Sequence, residues 1–215
     1  MKKLIKERDV IDAWQHRKSE INVAPNAIIT PAAADAAKVR SINIVRKNAI
    51  EKDFSNFNSN TQRQNMAKII IGSDHGGYEL KEVLKKYLMD ADVEVEDVGT
   101  HSTESVDYPD FAHSVALKVA ESNGVRGVII DGAGVGSAIT ANKVPGIRAA
   151  TCQDVYTTRN SRAHNNANIL TLGSRVLGVD VAKEILKVWL ETNFEGGRHQ
   201  RRVDKIIEID RKYRK

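Results

Sequence analysis

The chain has 215 residues, of which 41% are hydrophobic and 28% charged, with one cysteine and a formal net charge of +5. That length allows one well-filled domain plus an appendage, and the single cysteine, Cys152, excludes an internal disulfide framework and suits a reducing cytoplasm. No apolar run approaches the roughly 20 residues of a membrane span, and the charged start MKKLIKERDVIDAW lacks the apolar core of a secretory signal.

The charge is unevenly placed. Residues 1–66 hold 12 of the 33 Lys and Arg but only 7 of the 28 Asp and Glu, so the rest of the chain is formally neutral. A pI near 9.2 raises the question of nucleic acid, yet no aromatic-rich or helix-turn-helix pattern supports such a partner.

In chain order, residues 1–47 begin with a short helical pattern (Val10, Ile11, Trp14) and continue as INVAPNAIITPAAADAAKVRSINIV. That stretch predicts a strand, a turn, an Ala-rich helix opened by Thr30 as N-cap and Pro31 as first helical residue, then a strand. The segment is expected to bury little core alone. Residues 48–66, rich in Asn, Ser and Gln, have linker composition.

From residue 67 the pattern becomes regular. Strands are predicted at KIIIG (68–72), VEVEDV (93–98), GVIID (127–131), IRAATC (147–152) and NILTLG (168–173). Helices are predicted over 77–90, 109–122, 137–143, 154–163, 178–192 and 199–213. This alternation implies βαβ units, hence an α/β domain over 67–215 built on a doubly wound, five-stranded parallel sheet with helices on both faces.

In such a sheet ligands bind beyond the carboxyl ends of the strands. That rule selects Asp74 and His75 after the first of these strands, Asp131 and the loop DGAGVGS after the third, and Arg175 after the fifth. Gly132, Gly134 and Gly136 let backbone N–H groups approach an anion at a helix start. The loop is neither a P-loop nor a GxGxxG fingerprint, and a tight turn needing positive φ explains the glycines equally well. His164 and Asn165 precede the fifth strand, at the wrong end of the sheet for a site unless a second subunit brings them to it. Arg198 and Arg202 lie one helical turn apart, a spacing that can clamp a phosphate. No His/Cys/Asp/Glu cluster has metal-ligand spacing. Cys152, with no evident base partner, is expected to be a small core residue.

Together, IIIGSDHGGYELK, GTHSTESVDYPDFA, GAGVGSAITANKVPGIRAA, SRAHNNANILTLGSR and EGGRHQRRVDKI resemble type B ribose-5-phosphate isomerases and the related galactose-6-phosphate isomerase subunits. The resemblance spans residues 67–210 and implies a Rossmann-like fold, no cofactor or metal, and homodimers or homotetramers with interface active sites. It implies that Asp74 and His75 lie near substrate and that Asp107 and Tyr108 contact the sugar. His164 would assist ring opening beside Asn165, while Arg175, Arg198 and Arg202 hold the phosphate. The loop glycines Gly132, Gly134 and Gly136 would donate N–H groups to an enediolate.

The chain departs from the family pattern at Asp131, where many members carry the cysteine that serves as carbon base. Either Asp131 is the base of an isomerase acting on ribose 5-phosphate and ribulose 5-phosphate, or the chain is a galactose-6-phosphate (or other hexose-phosphate) isomerase subunit, or it is a silent sugar-phosphate-binding or structural subunit. Residues 1–47 resemble a short module attached to bacterial microcompartment-associated enzymes. That implies tethering to a shell or partner enzyme, and a cytoplasmic location inside a microcompartment.

Overall fold

A computed structural model describes residues 4–24, 26–46 and 68–214, and the linker expected at 48–66 lies outside them. The chain divides into two compact units, residues 1–65 and 66–215.

The first unit contains β1 (Leu4–Ile5), α1 (Glu7–Gln15), β2 (Glu20–Val23), β3 (Ile28–Ile29), α2 (Pro31–Val39) and β4 (Asn43–Arg46). The predicted start of α2 is present, with the Thr30 side chain accepting from the Ala33 N–H at 3.3 Å and Pro31 at the first position. Two features were not legible in the sequence. A two-residue strand, β1, precedes α1 and pairs in parallel with β3, while β2 pairs in parallel with β4. The unit is thus two βαβ halves in which Leu4 pairs with Ile28 and Ile5 with Ile29.

Even the helix ends correspond. The Lys18 N–H bonds to Ala13 O and the Ile42 N–H to Ala37 O, each at 2.9 Å, across a left-handed residue, Arg17 (φ 54°) or Ser41 (φ 53°). The expectation that this segment would bury little core is corrected by the same observation. Each half covers the other, so that Ile5, Val10, Val23, Ala33 and Ile42 share one buried cluster.

The second unit runs β5 (Ile69–Ser73), α3 (Tyr78–Met89), β6 (Val95–Asp97), α4 (Tyr108–Glu121), β7 (Arg126–Asp131), α5 (Val135–Ala141), β8 (Ala149–Thr151), α6 (Val155–Ala163), β9 (Ile169–Gly173), α7 (Val179–Glu191) and α8 (Arg198–Tyr213). The five strands form one parallel sheet in the order β6-β5-β7-β9-β8, so it is Rossmann-like and doubly wound as predicted. The predicted helix over 137–143 begins earlier, at Val135, because the glycine loop itself turns into helix.

Alternation along the strands sorts the core into two layers. Ile69, Ile71, Val128, Ile130, Leu170 and Leu172 face α3 and α7, where Leu84, Leu88 and Trp189 pack. Ile70, Ile129 and Ile169 face α4, against Val115 and Val119. Cys152 belongs to the first layer at 1% exposure, and burial pushes its thiol up, so it is a core residue rather than a nucleophile.

One ionic network crosses this core. Lys81 in α3 is fully buried, with Nζ 2.6 Å from Asp97 Oδ2 and 2.8 Å from Glu82 Oε1, and Lys85 meets the same two oxygens at 2.7 Å each. Burial pushes the Asp97 carboxyl up, but hydrogen bonds from Lys81, Lys85 and the Gly99 N–H outweigh it and hold the group below its ordinary value. A carboxyl lowered by folding adds stability at neutral pH that disappears as pH falls through its folded value. Asp97→Asn is therefore expected to cost about 3 kcal/mol at pH 7, by leaving the buried Lys81 short of charge. Urea unfolding at pH 7 and again near pH 3 checks this, since the gap to the parent protein must close at the lower pH.

Candidate active site

The sheet order reverses direction beside β5 and β7, and the carboxyl ends of these neighbouring strands carry Asp74 and Asp131. Asp74 is buried and its Oδ1 accepts the Gly77 N–H at 2.8 Å, closing the turn into α3. His75 is half-buried, its Nδ1 3.2 Å from the Val106 N–H and 3.1 Å from Val106 O. This ties the β5 turn to the loop that carries Asp107 and Tyr108, both exposed at the start of α4. Ser174, after β9, bridges the turns, its Oγ donating to Gly76 O at 2.7 Å and to Asp131 O at 3.1 Å.

Asp131 is 4% exposed and its carboxylate is turned into its own loop. Oδ1 accepts from the Ala133 N–H at 2.7 Å and from the Gly134 N–H. Oδ2 accepts from the Ser137 N–H at 3.1 Å and from the Ser137 hydroxyl. The chemistry of the loop follows from this. A helix start leaves backbone N–H groups without carbonyl partners, and Asp131 satisfies two of the loop donors and one of the first-turn donors of α5. Gly134 stands at the helix start with φ 79°, which favours glycine.

The expectation that Gly134 donates to substrate is corrected here: its N–H is engaged by Asp131. Gly132 and Gly136 remain at the loop surface. A Cβ on Gly136 would lie 2.7 Å from the Tyr108 ring, so the ring lies directly against that glycine. Arg175 is exposed and its side chain runs beside Gly132, where an added Cβ would lie 3.7 Å from Arg175 Cδ.

The remaining predicted residues gather elsewhere. His164 ends α6 and precedes β9, so it lies at the amino end of the strand whose carboxyl end pairs Gly173 with Asp131. The five residues of β9 set these ends about 16 Å apart along the strand. His164 stacks on His199 of α8 with ring centroids 4.0 Å apart and planes within 4°. Its Nδ1 meets Asn160 Nδ2 at 2.9 Å, while its Nε2 is 3.7 Å from Glu195 Oε2. Arg198 Nε donates to His199 Nε2 at 3.2 Å, and Arg202 Nη1 lies 3.5 Å from Nδ1. Asn165, Arg198 and Arg202 are exposed.

His199 and Glu195 are residues that the sequence analysis missed, as is the bonding of Ser137 to Asp131. His199 had a signal, since it lies four residues before Val203 on the inward face of α8, and both are 3% exposed. Burial first, then the nearby charges of His164, Arg198 and Arg202, push the His199 imidazole below the ordinary histidine range against the pull of Glu195. Its Nε2 also lies 3.4 Å from Glu195 Oε2, so the ring sits among two guanidinium groups and a carboxylate.

His164, Glu195 and His199 bring possible metal-ligand atoms within 4.8 Å of one another. Two parallel imidazoles aim their lone pairs side by side rather than at one point, so the stack is poorly shaped for a tetrahedral ion. The exposed pair of guanidinium groups beside it suits an anion instead. Among the described residues no helix is long and apolar enough to cross a membrane.

The family model described as Ribose/Galactose Isomerase matches residues 69–206. Ribose-5-phosphate isomerase B of Escherichia coli is 47% identical over 147 residues, which cover 68% of this chain and 99% of that protein. The ribose-5-phosphate isomerase B structure from Clostridium thermocellum is similar at 55% identity and a TM-score of 0.65, covering 68% of this chain and 99% of that one. The enzyme from Mycoplasma genitalium, solved with bound ribulose 5-phosphate, is 42% identical with a TM-score of 0.65, covering 67% of this chain and 96% of its own.

Because Asp131 satisfies three backbone donors, Asp131→Ala should lower stability by about 3 kcal/mol. Hydrogen exchange should accelerate at the Ala133, Gly134 and Ser137 amides while the β5 and β9 amides stay protected, which separates a loosened loop from a lost fold.

Proposed function

The chain belongs to the ribose/galactose isomerase family of sugar-phosphate isomerases, and from that premise we propose that it interconverts ribose 5-phosphate and ribulose 5-phosphate through an enediolate. The observation that carries this reading is the buried Asp131 carboxylate at the mouth of the glycine loop, between the β5 turn and Arg175. The open-chain aldose presents its C2 proton to Asp131. The C–H electron pair becomes the C1–C2 double bond, the carbonyl pair moves to O1, and the proton returns to C1 as the O2 proton passes to O1. Preorganised donors stabilise such an oxyanion by about 3 kcal/mol each, and the N–H groups of Gly132 and Gly136 are assigned that role. Tyr108 and Asp107 contact the sugar from the start of α4, with Asp74 and His75 beside them on the β5 turn.

His164, Asn165, Arg198 and Arg202 belong to the same reaction only across a subunit boundary. Their place at the opposite end of the sheet supports a homodimer, or a tetramer of such dimers, in which each site takes its loop from one chain and its ring-opening histidine and phosphate arginines from another. Arg175 adds a third cation to the phosphate from the loop side. Mixing decides the point. Asp131→Asn and His164→Ala variants, each inactive alone, should regain about a quarter of parental activity when refolded together, because one site in each mixed dimer is intact. No recovery would sink the shared-site arrangement.

Residues 1–47 are proposed as a tether to a microcompartment shell or a partner enzyme, supported by their separate buried core. A variant beginning at Met66 should keep isomerase activity and lose co-sedimentation with such an assembly. Loss of folding would instead make the segment part of the catalytic unit. Assays of the pure protein on ribose 5-phosphate and galactose 6-phosphate separate five-carbon from six-carbon substrates, and inactivity on both would indicate a silent subunit.

A further inference from the structure

Four donors fill the Asp131 carboxylate. Three are backbone N–H groups, and the fourth is the Ser137 hydroxyl in the first turn of α5, on a residue with no exposed surface. The two kinds differ chemically. A backbone N–H is fixed in direction and only donates, whereas a hydroxyl rotates about its C–O bond and can also accept. A carboxylate offers about four acceptor sites, so with four donors in place none is open to a proton leaving carbon.

We propose that Ser137 is a positioning residue for the Asp131 base: its hydroxyl holds the carboxylate in the loop between turnovers and rotates away to open the acceptor site that receives the substrate proton. This rests on the reading of Asp131 as the carbon base. The step balances. The C2–H bond breaks, its electron pair enters the enediolate, and the proton takes the Oδ2 lone pair that the hydroxyl has vacated. When the proton passes on to C1, the hydroxyl returns.

A helical serine can donate to the carbonyl three or four positions back. The carbonyl three back, Gly134 O, already accepts the Ala138 N–H at 3.2 Å and the Thr151 hydroxyl at 3.1 Å, which leaves the carbonyl four back, Ala133 O, for the displaced hydroxyl. Thr140, in the same helix, donates to Gly136 O in this manner at 3.0 Å. The three backbone donors cannot leave without unwinding the start of α5. Ser137 is thus the only one of the four that can move within an intact fold. The charged and titratable groups at this end of the sheet include Asp74 and His75 after β5, Asp97 at the end of β6, Asp107 and Tyr108 at the start of α4, Asp154 after β8 and Arg175 after β9.

Ser137→Ala removes the hydroxyl and keeps the backbone N–H. The Asp131 side-chain carboxyl, labelled with ¹³C and followed by NMR, should titrate about one pH unit higher in this variant, because a donated hydrogen bond favours the charged form. In turnover assays the acid limb of the kcat/KM profile should rise by the same amount with KM unchanged. A titration midpoint that does not move overturns the proposal, as does a fall in kcat with the acid limb unmoved, which marks Ser137 as purely structural. Asp131→Asn keeps the two claims apart. If that variant turns over at the parental rate, the base reading falls. If it is inactive while Ser137→Ala leaves the carboxyl titration unchanged, only the role of Ser137 falls.

Discussion

A glycine loop at a helix start is a collection of N–H groups in search of an acceptor, and in this chain the acceptor is built in. The Asp131 carboxylate ends β7 and takes hydrogen bonds from Ala133, Gly134 and Ser137, which fixes where α5 begins. Much of the site follows from that start. Gly136 comes to lie under the Tyr108 ring, and Gly132 presents its face to Arg175. Ser174 then links the Asp131 carbonyl to the turn after β5. For the proposed base role, a carboxylate that organises the loop must also be released from it to act on carbon. The same hydrogen bonds thus set the shape of the site and, in that proposal, the difficulty of the first step.

The other end of the sheet is organised on an opposite principle. There an imidazole, His199, is the centre, with Arg198, Arg202 and Glu195 around it. Stacking on His164 holds the ring flat, while the backbone bond from Glu195 N–H to Ala163 O at 3.0 Å ties the approach to α8 onto α6. Exposed guanidinium groups at two edges of one imidazole attract anions.

Much of the catalytic unit was readable from the chain because its signals are short-range. Short apolar runs alternating with helical patterns pointed to all five strands, and Pro109 and Gly178 mark helix starts. The carboxyl-end rule gathered Asp74, His75, Asp131 and Arg175 without any structure. What escaped depended on direction rather than position. Nothing in the order Asp131 to Ser137 says that the carboxylate folds back on its own loop, because that choice is made by three N–H vectors in space. His199 was overshadowed by the arginines around it, although its helical phase with Val203 pointed inward. In the first unit, β1 is only two residues long and is stabilised by pairing with β3, a partner 24 positions away that local patterning cannot reveal.

The sheet itself imposes the last condition. Asp131 and His164 are fastened near opposite ends of adjacent, fully hydrogen-bonded strands, so no hinge or lid within one chain can bring them to a common substrate. For the reaction proposed, competence is then a property of concentration, and every route that gathers copies into a small volume is also a route to switching the chemistry on.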